Sequence, residues 1–193
     1  MPIPTIKVYS ADKTVQTIDG SNPLPVSLVD GGGGSSYIGR VGYDVIQITI
    51  TPTISTGIYA AGDALGGLLT FANAVRSVGG SGIVTKVVII DRDQERAATD
   101  LVLFNQTFTP TADNAAFDPS DADLANCIGY IDVAATDYAN FVDNSVAAKS
   151  SGLRMPFPIT LVGTSLFGQM VTRGTPTYTA VNDITVKLTI ERF

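Results

Sequence analysis

A chain of 193 residues is long enough for one domain with a sizeable core, and 45% hydrophobic against 16% charged residues excludes a disordered chain. A net charge of −6 and a pI near 4.4, with no cluster of Lys and Arg, argue against a nucleic-acid surface, which needs a basic face. Histidine is absent, which excludes histidine triads and histidine metal sites, and the single cysteine, Cys127, excludes an intrachain disulfide and reads as a small buried hydrophobe.

The β-branched set is heavy, with 19 Val, 17 Ile and 22 Thr against 12 Leu. Of the 18 acidic residues 16 are Asp, which favours turns and caps over helix interiors. Both biases point to strands and loops.

Residues 1–40 read as an extended N-terminal arm and a glycine-rich loop. Pro2, Pro4, Pro23 and Pro25 interrupt the arm, and proline supplies no ladder donor, but Ile6, Val8 and the 15–18 run suit edge strands. The opening residues lack the basic start and apolar core of a signal peptide. No stretch approaches about 20 apolar residues, so the expectation is a cytoplasmic product with no membrane span. Residues 31–36, GGGGSS, are a flexible connector by composition.

The first strong strand spans 43–52, with Val45, Gln47 and Thr49 on one face and Ile46, Ile48 and Ile50 on the other. Residues 57–105 read as a meander: an apolar run at 68–78, the turn Gly79-Gly80-Ser81-Gly82, an alternating run at 83–90, and a third run at 101–104 after a charged interval. An Asp-rich passage follows. Pro119 with Ser120, Asp121 and Asp123 suits a short helix over roughly 119–126, and a strand is expected at 127–133. Residues 134–152 read as a long loop or weakly helical segment. Pro156-Phe157-Pro158 forces extended chain, and strands at 159–162, 166–172 and 183–192 complete the set. In the last, Ile184, Val186, Leu188 and Ile190 face inward against Thr185, Lys187, Thr189 and Glu191. Eight or more strands with one short helix predict an all-β fold: an antiparallel β-sandwich of jelly-roll type over 41–193, preceded by the arm.

Signals for chemistry are weak. Ser10 and Lys13 have Ser-x-x-Lys spacing, but no Ser-Asp-Asn or Lys-Thr-Gly accompanies them. Gly34 and Gly39 have phosphate-loop spacing, yet Arg40-Val41 stands where Lys and Ser/Thr are required. Asp91 and Asp93 share one side of a strand end and could meet at a sheet rim as paired carboxylates. Arg92, Glu95 and Arg96 crowd the same loop, and nothing supplies an apolar pocket, so solvated turn charges are the expectation. Asp113, Asp118, Asp121 and Asp123 are the right ligand type for Ca²⁺ but lack EF-hand spacing, and capping accounts for them. Asn105-Gln106-Thr107 has the form of a glycosylation acceptor without a secretory signal. No catalytic, cofactor or metal residue is assigned, and a hydrolase is the least favoured reading.

Several phrases carry a resemblance: residues 59–67 (YAAGDALGG), 79–82 (GGSG) before a strand, 103–105 (LFN), 111–117 (TADNAAF), 120–123 (SDAD) and the ending 178–190. Over about residues 43–192 the chain resembles small virion proteins of tailed bacteriophages whose genes commonly sit beside the major capsid gene. The resemblance implies a head decoration, or cement, protein: a β-rich homotrimer on the outer capsid surface, partnered by the major capsid protein, with no ligand-binding residues. The alternative is a carbohydrate-binding or host-attachment module of a phage fibre, since jelly rolls often serve as lectins. Against it stand the absence of Trp and an aromatic content of 8%. Tyr37, Tyr43, Tyr59, Tyr130, Tyr138 and Tyr178 are the rings available to stack on sugar.

Overall fold

The computed structural model describes the backbone of residues 6–9 and 15–18, and residues 44–159 and 163–193 in full. The chain divides into two compact units, Met1–Val41 and Gly42–Phe193. In the first, β1 (Ile6–Tyr9) pairs antiparallel with β2 (Val15–Ile18), Ile6 opposite Ile18 and Tyr9 opposite Val15. Ser10, Lys13, the glycine run, Tyr37 and Tyr43 lie outside the described residues.

The second unit contains β3 (Asp44–Ile50), β4 (Ala64–Phe71), β5 (Ser81–Asp91), β6 (Thr99–Phe104), α1 (Asp121–Leu124), β7 (Cys127–Val133), a 3₁₀ turn (Ala135–Asp137), β8 (Tyr138–Asn140), β9 (Ser145–Lys149), β10 (Met155–Pro158), β11 (Leu166–Thr172) and β12 (Ile184–Arg192). One sheet runs β3-β12-β5-β9-β8, with β10 also on β5; the other runs β4-β11-β6-β7. Every pairing is antiparallel. The fold is therefore all-β, two antiparallel sheets with one short α-helix among the described residues. Eleven residues make β5 long enough to carry β10 along Ser81 to Val84 and β9 along Val87 to Asp91 on the same side.

The sheets share one core. Val84, Val87, Ile89, Val186, Leu188 and Ile190 from the first meet Leu65, Leu69, Leu101, Leu103, Leu166 and Met170 from the second. Burying each such side chain contributes about 1.5–3 kcal/mol. The inward set expected for the final strand is buried, and so is Thr185, expected to face outward, whose hydroxyl accepts from Arg92 Nη1. A second, smaller cluster forms from Val102, Phe104, Phe108 and Val171, with Leu68, Phe117, Cys127 and Phe167 against it. Phe108 stacks on Phe104 with ring centroids 4.0 Å apart, so the passage after β6 folds back over the second sheet's other face. That is why β6 is buried at every position and its last four residues, Leu101 to Phe104, read as a continuous apolar run.

Three expectations change. Residues 57–105 are not a meander: β4 and β6 lie in one sheet on either side of β11, and β5 between them in sequence belongs to the other sheet. The run at 68–78 is not one strand: β4 begins at Ala64 and stops at Phe71, because Asn73 takes a left-handed conformation and Val75 donates instead to Thr164 O. Residues 134–152 hold β8 and β9, strands made of Ser, Ala and Val that form because β5 offers them a ladder. The strand expected at 159–162 lies outside the described residues except for Ile159, whose N–H donates to Gly80 O.

Candidate functional site

Where β5 ends, Asp91 is buried and its two oxygens organise the next five residues. Oδ1 accepts from Asp93 N at 3.0 Å and Oδ2 from Arg96 N at 2.7 Å. The loop so held places Gln94 and Arg96 at positive φ, a conformation that costs of order 1–3 kcal/mol each. Asp91 and Asp93 are not a working carboxylate pair, and Asp91 is not a solvated turn charge as its charged neighbours suggest. Backbone amides require a buried acceptor here.

The same loop binds its neighbours. Asp93 Oδ2 accepts from Thr179 N at 2.8 Å, Arg92 N donates to Asp183 O, and Arg92 Nη1 donates to Asn182 O and Thr185 Oγ1. Asp183 Oδ2 accepts from Ala180 N at 2.7 Å. The Gln94 side-chain amide donates to Phe141 O at 2.6 Å and Asn144 O at 3.2 Å, clamping the β8–β9 hairpin, whose own turn closes through Phe141 N to Asn144 O. Ile54 N and Tyr59 N donate to Val181 O and Pro176 O, tying in the segment between β3 and β4. Beneath it, Tyr59 OH accepts from Ser55 N and donates to Asp113 Oδ1 at 2.8 Å, which also accepts from Gly66 N at 2.6 Å. Only glycine fits at Gly66, which combines φ +77° with a backbone so close to Pro52 that a Cβ would lie 2.7 Å from it.

Four loops thus form one end of the domain, and three of them present an exposed apolar side chain or pair. Val142 is 98% exposed, Ile58 69%, Phe141 58% and Val181 52%. Single exposed hydrophobes are ordinary surface. These sit at the tips of loops whose polar groups are spent on each other.

Tyr59, Tyr138 and Tyr178 line the inner side of this end, with Tyr59 edge-on to Tyr178 at 6.1 Å. All three phenols are pushed far above their ordinary value near 10, first by burial. Next comes donation to Asp113 for Tyr59, and the Asp91 charge for the other two. A raised value means stability fully present below about 10 and lost progressively as pH rises beyond it. In an alkaline titration these three tyrosines are expected to ionise together with loss of near-ultraviolet circular dichroism. Smooth ionisation of all tyrosines with the fold intact would contradict their burial. The same burial removes Tyr59 and Tyr178 as sugar-stacking rings, whereas Tyr130 is 61% exposed.

The acidic group is dispersed. Asp113 serves Tyr59 and Gly66; Asp121 and Asp123 lie in the first turn of α1, whose N-cap Ser120 accepts from Asp123 N; Asp118 N donates to Thr111 Oγ1. No three such ligands converge among the described residues. A cavity of about 230 Å³ is lined by Asn105, Gln106, Thr107, Ile159, Gly163, Ser165 and Phe167, none of which titrates near neutral pH. The residues that sequence reasoning missed are Gln94, Phe141 and Val142. A pair of apolar residues bracketed by Asn and Asp, NFVDN, was the available signal.

Fold and site together define a rigid two-sheet β domain with an apolar-tipped loop end. No protein-family model matches the chain, and no curated protein matches it.

Proposed function

We propose that this chain is a virion structural protein of a tailed bacteriophage. It is a capsid decoration, or cement, protein with a jelly-roll-type sandwich that trimerises and binds the outer face of the head shell. The supporting observation is the loop end: Ile58, Phe141, Val142 and Val181 held outward by loops that buried Asp91 and the Gln94 clamp keep rigid. Side chains fixed before contact lose little freedom on binding, so modest apolar anchors suffice. Three such ends in one trimer gain avidity, adding about 10²–10⁴ in affinity without a strong individual site. A net charge of −6 keeps the protein off packaged or free DNA.

Binding to shells that lack the protein tests this. Light scattering is expected to give a multiple of three times 20.1 kDa, and Phe141→Ser/Val142→Ser is expected to fold normally while losing about tenfold or more in shell affinity. Unchanged binding by that variant would remove the loop end from the interface. Failure of the wild-type protein to bind any shell, with a clear hit on a glycan array, would favour host attachment.

A further inference from the structure

Most sheet edges in this molecule carry a device against strand pairing. The 112–117 segment covers the start of β4, with Ala64 N donating to Ala115 O and Asn114 N to Ala64 O. In β7 the register shifts beside Gly129 at φ +136°, and Lys149 Nζ occupies Asp132 O at 2.6 Å. Only three residues long, β8 offers little ladder. Pro156 and Pro158 alternate along β10 with Met155 and Phe157, and Ile159 N donates toward β5, so the positions without N–H fall on the outward side.

In the second unit the exception is β3. Its seven residues pair with β12 in unbroken register and have no second neighbour among the described residues. From Val45 to Ile50 it contains no charge, proline or bulge, the features that normally blunt an edge. Its core-side Ile46, Ile48 and Ile50 are only half-buried, although their β12 partners Ile190, Leu188 and Val186 are fully buried. The apolar layer stops one strand short.

We propose that the β3 edge pairs antiparallel with β3 of a second copy of this chain, about a two-fold axis at Ile48. The strand's pattern is self-complementary in that register. Ile46 falls opposite Ile50, Ile48 opposite its own counterpart, and Gln47 opposite Thr49 on the outer face. A slip of one residue would set isoleucine against Gln or Thr. The nearest charge, Asp44, is held by Arg192 and lies opposite Pro52 of the other copy, so a chain of net charge −6 brings no like charges together along the seam. A foreign strand would not require this symmetry. The seam is roughly 23 Å long, seven residues at about 3.3 Å each. This contact is separate from the shell-facing loop end; it joins two trimers where trimers form.

Gln47 and Thr49 are exposed, so both accept substitution without disturbing the core. In Gln47→Lys/Thr49→Lys the new positive charges face each other twice across the seam, and in Gln47→Lys/Thr49→Glu they face opposite charges. In sedimentation at one high micromolar concentration, with folds matched by circular dichroism, wild type and the charge-complementary variant are expected to show twice the mass of the double-lysine variant. The ratio of two is read whether the smaller species is a trimer or a monomer, so it is independent of the trimer. Three equal masses, the result if a segment of the same chain or a foreign strand occupied the edge, would overturn the proposal, as would doubling that survives the double-lysine change, the result if copies join through another surface.

Discussion

Asp91→Ala is expected to destabilise the domain by about 3–5 kcal/mol, the largest effect of any single substitution at the loop end. Two hydrogen bonds to a buried carboxylate are lost, each worth about 1.5–3 kcal/mol, and Gln94 and Arg96 are released from left-handed backbone that those bonds maintain. Urea unfolding should show a lower midpoint with an unchanged slope. Because Gln94 then no longer fixes Phe141 O and Asn144 O, shell affinity should fall even at temperatures where the variant remains folded. Asp91→Asn keeps the shape but removes the charge that raises the Tyr138 and Tyr178 phenols, so it should lower the pH at which those tyrosines ionise. A loss below about 1 kcal/mol in Asp91→Ala would mean that the loop holds itself.

Gln169→Leu is expected to cost about 2–4 kcal/mol through a different mechanism. The buried amide donates to Gly66 O at 2.9 Å and Thr111 O at 2.6 Å and accepts from Thr111 N at 3.0 Å, fastening the Asp-rich passage to β4 and β11. Leucine of similar size fills the space but leaves three backbone groups without their partner, at about 1–3 kcal/mol for each that stays dry. The passage should loosen from the cluster around Phe104 and Phe108, giving faster proteolysis within 105–120 and new binding of a hydrophobic dye. Wild-type protease resistance would show that the aromatic stack alone holds the passage down.

Regular alternation made part of this fold legible. Residues 43–52, 127–133 and 183–192 announce strands because one face of each meets a core, whereas 166–172 is buried at six of its seven positions and does not alternate. β9 was hidden because Ser-Val-Ala-Ala-Lys has no intrinsic preference for extended chain; its conformation comes from the ladder against Asp91 to Val87. Pro119 and Ser120 signalled the helix, since a cap is a local device, but Ser120 is the cap, so the helix begins at Asp121 and runs four residues with none buried. The site was less legible. Asp91 has the charged surroundings of a surface turn, and only the fold shows that its oxygens face two amides. Gln169 differs from a solvent-facing strand residue only by sitting among apolar neighbours, LFGQMVT, a signal visible in retrospect.

Electron microscopy of tailed-phage heads assembled with and without this protein tests the proposed shell decoration most directly. Density for a β-rich trimer is expected on the outside of the shell, present only when the protein is, with the Phe141–Val142 hairpin and the Val181 loop turned toward the capsid protein. Identical maps, or the protein found inside the head or detached as a lone enzyme-like monomer, would contradict shell decoration.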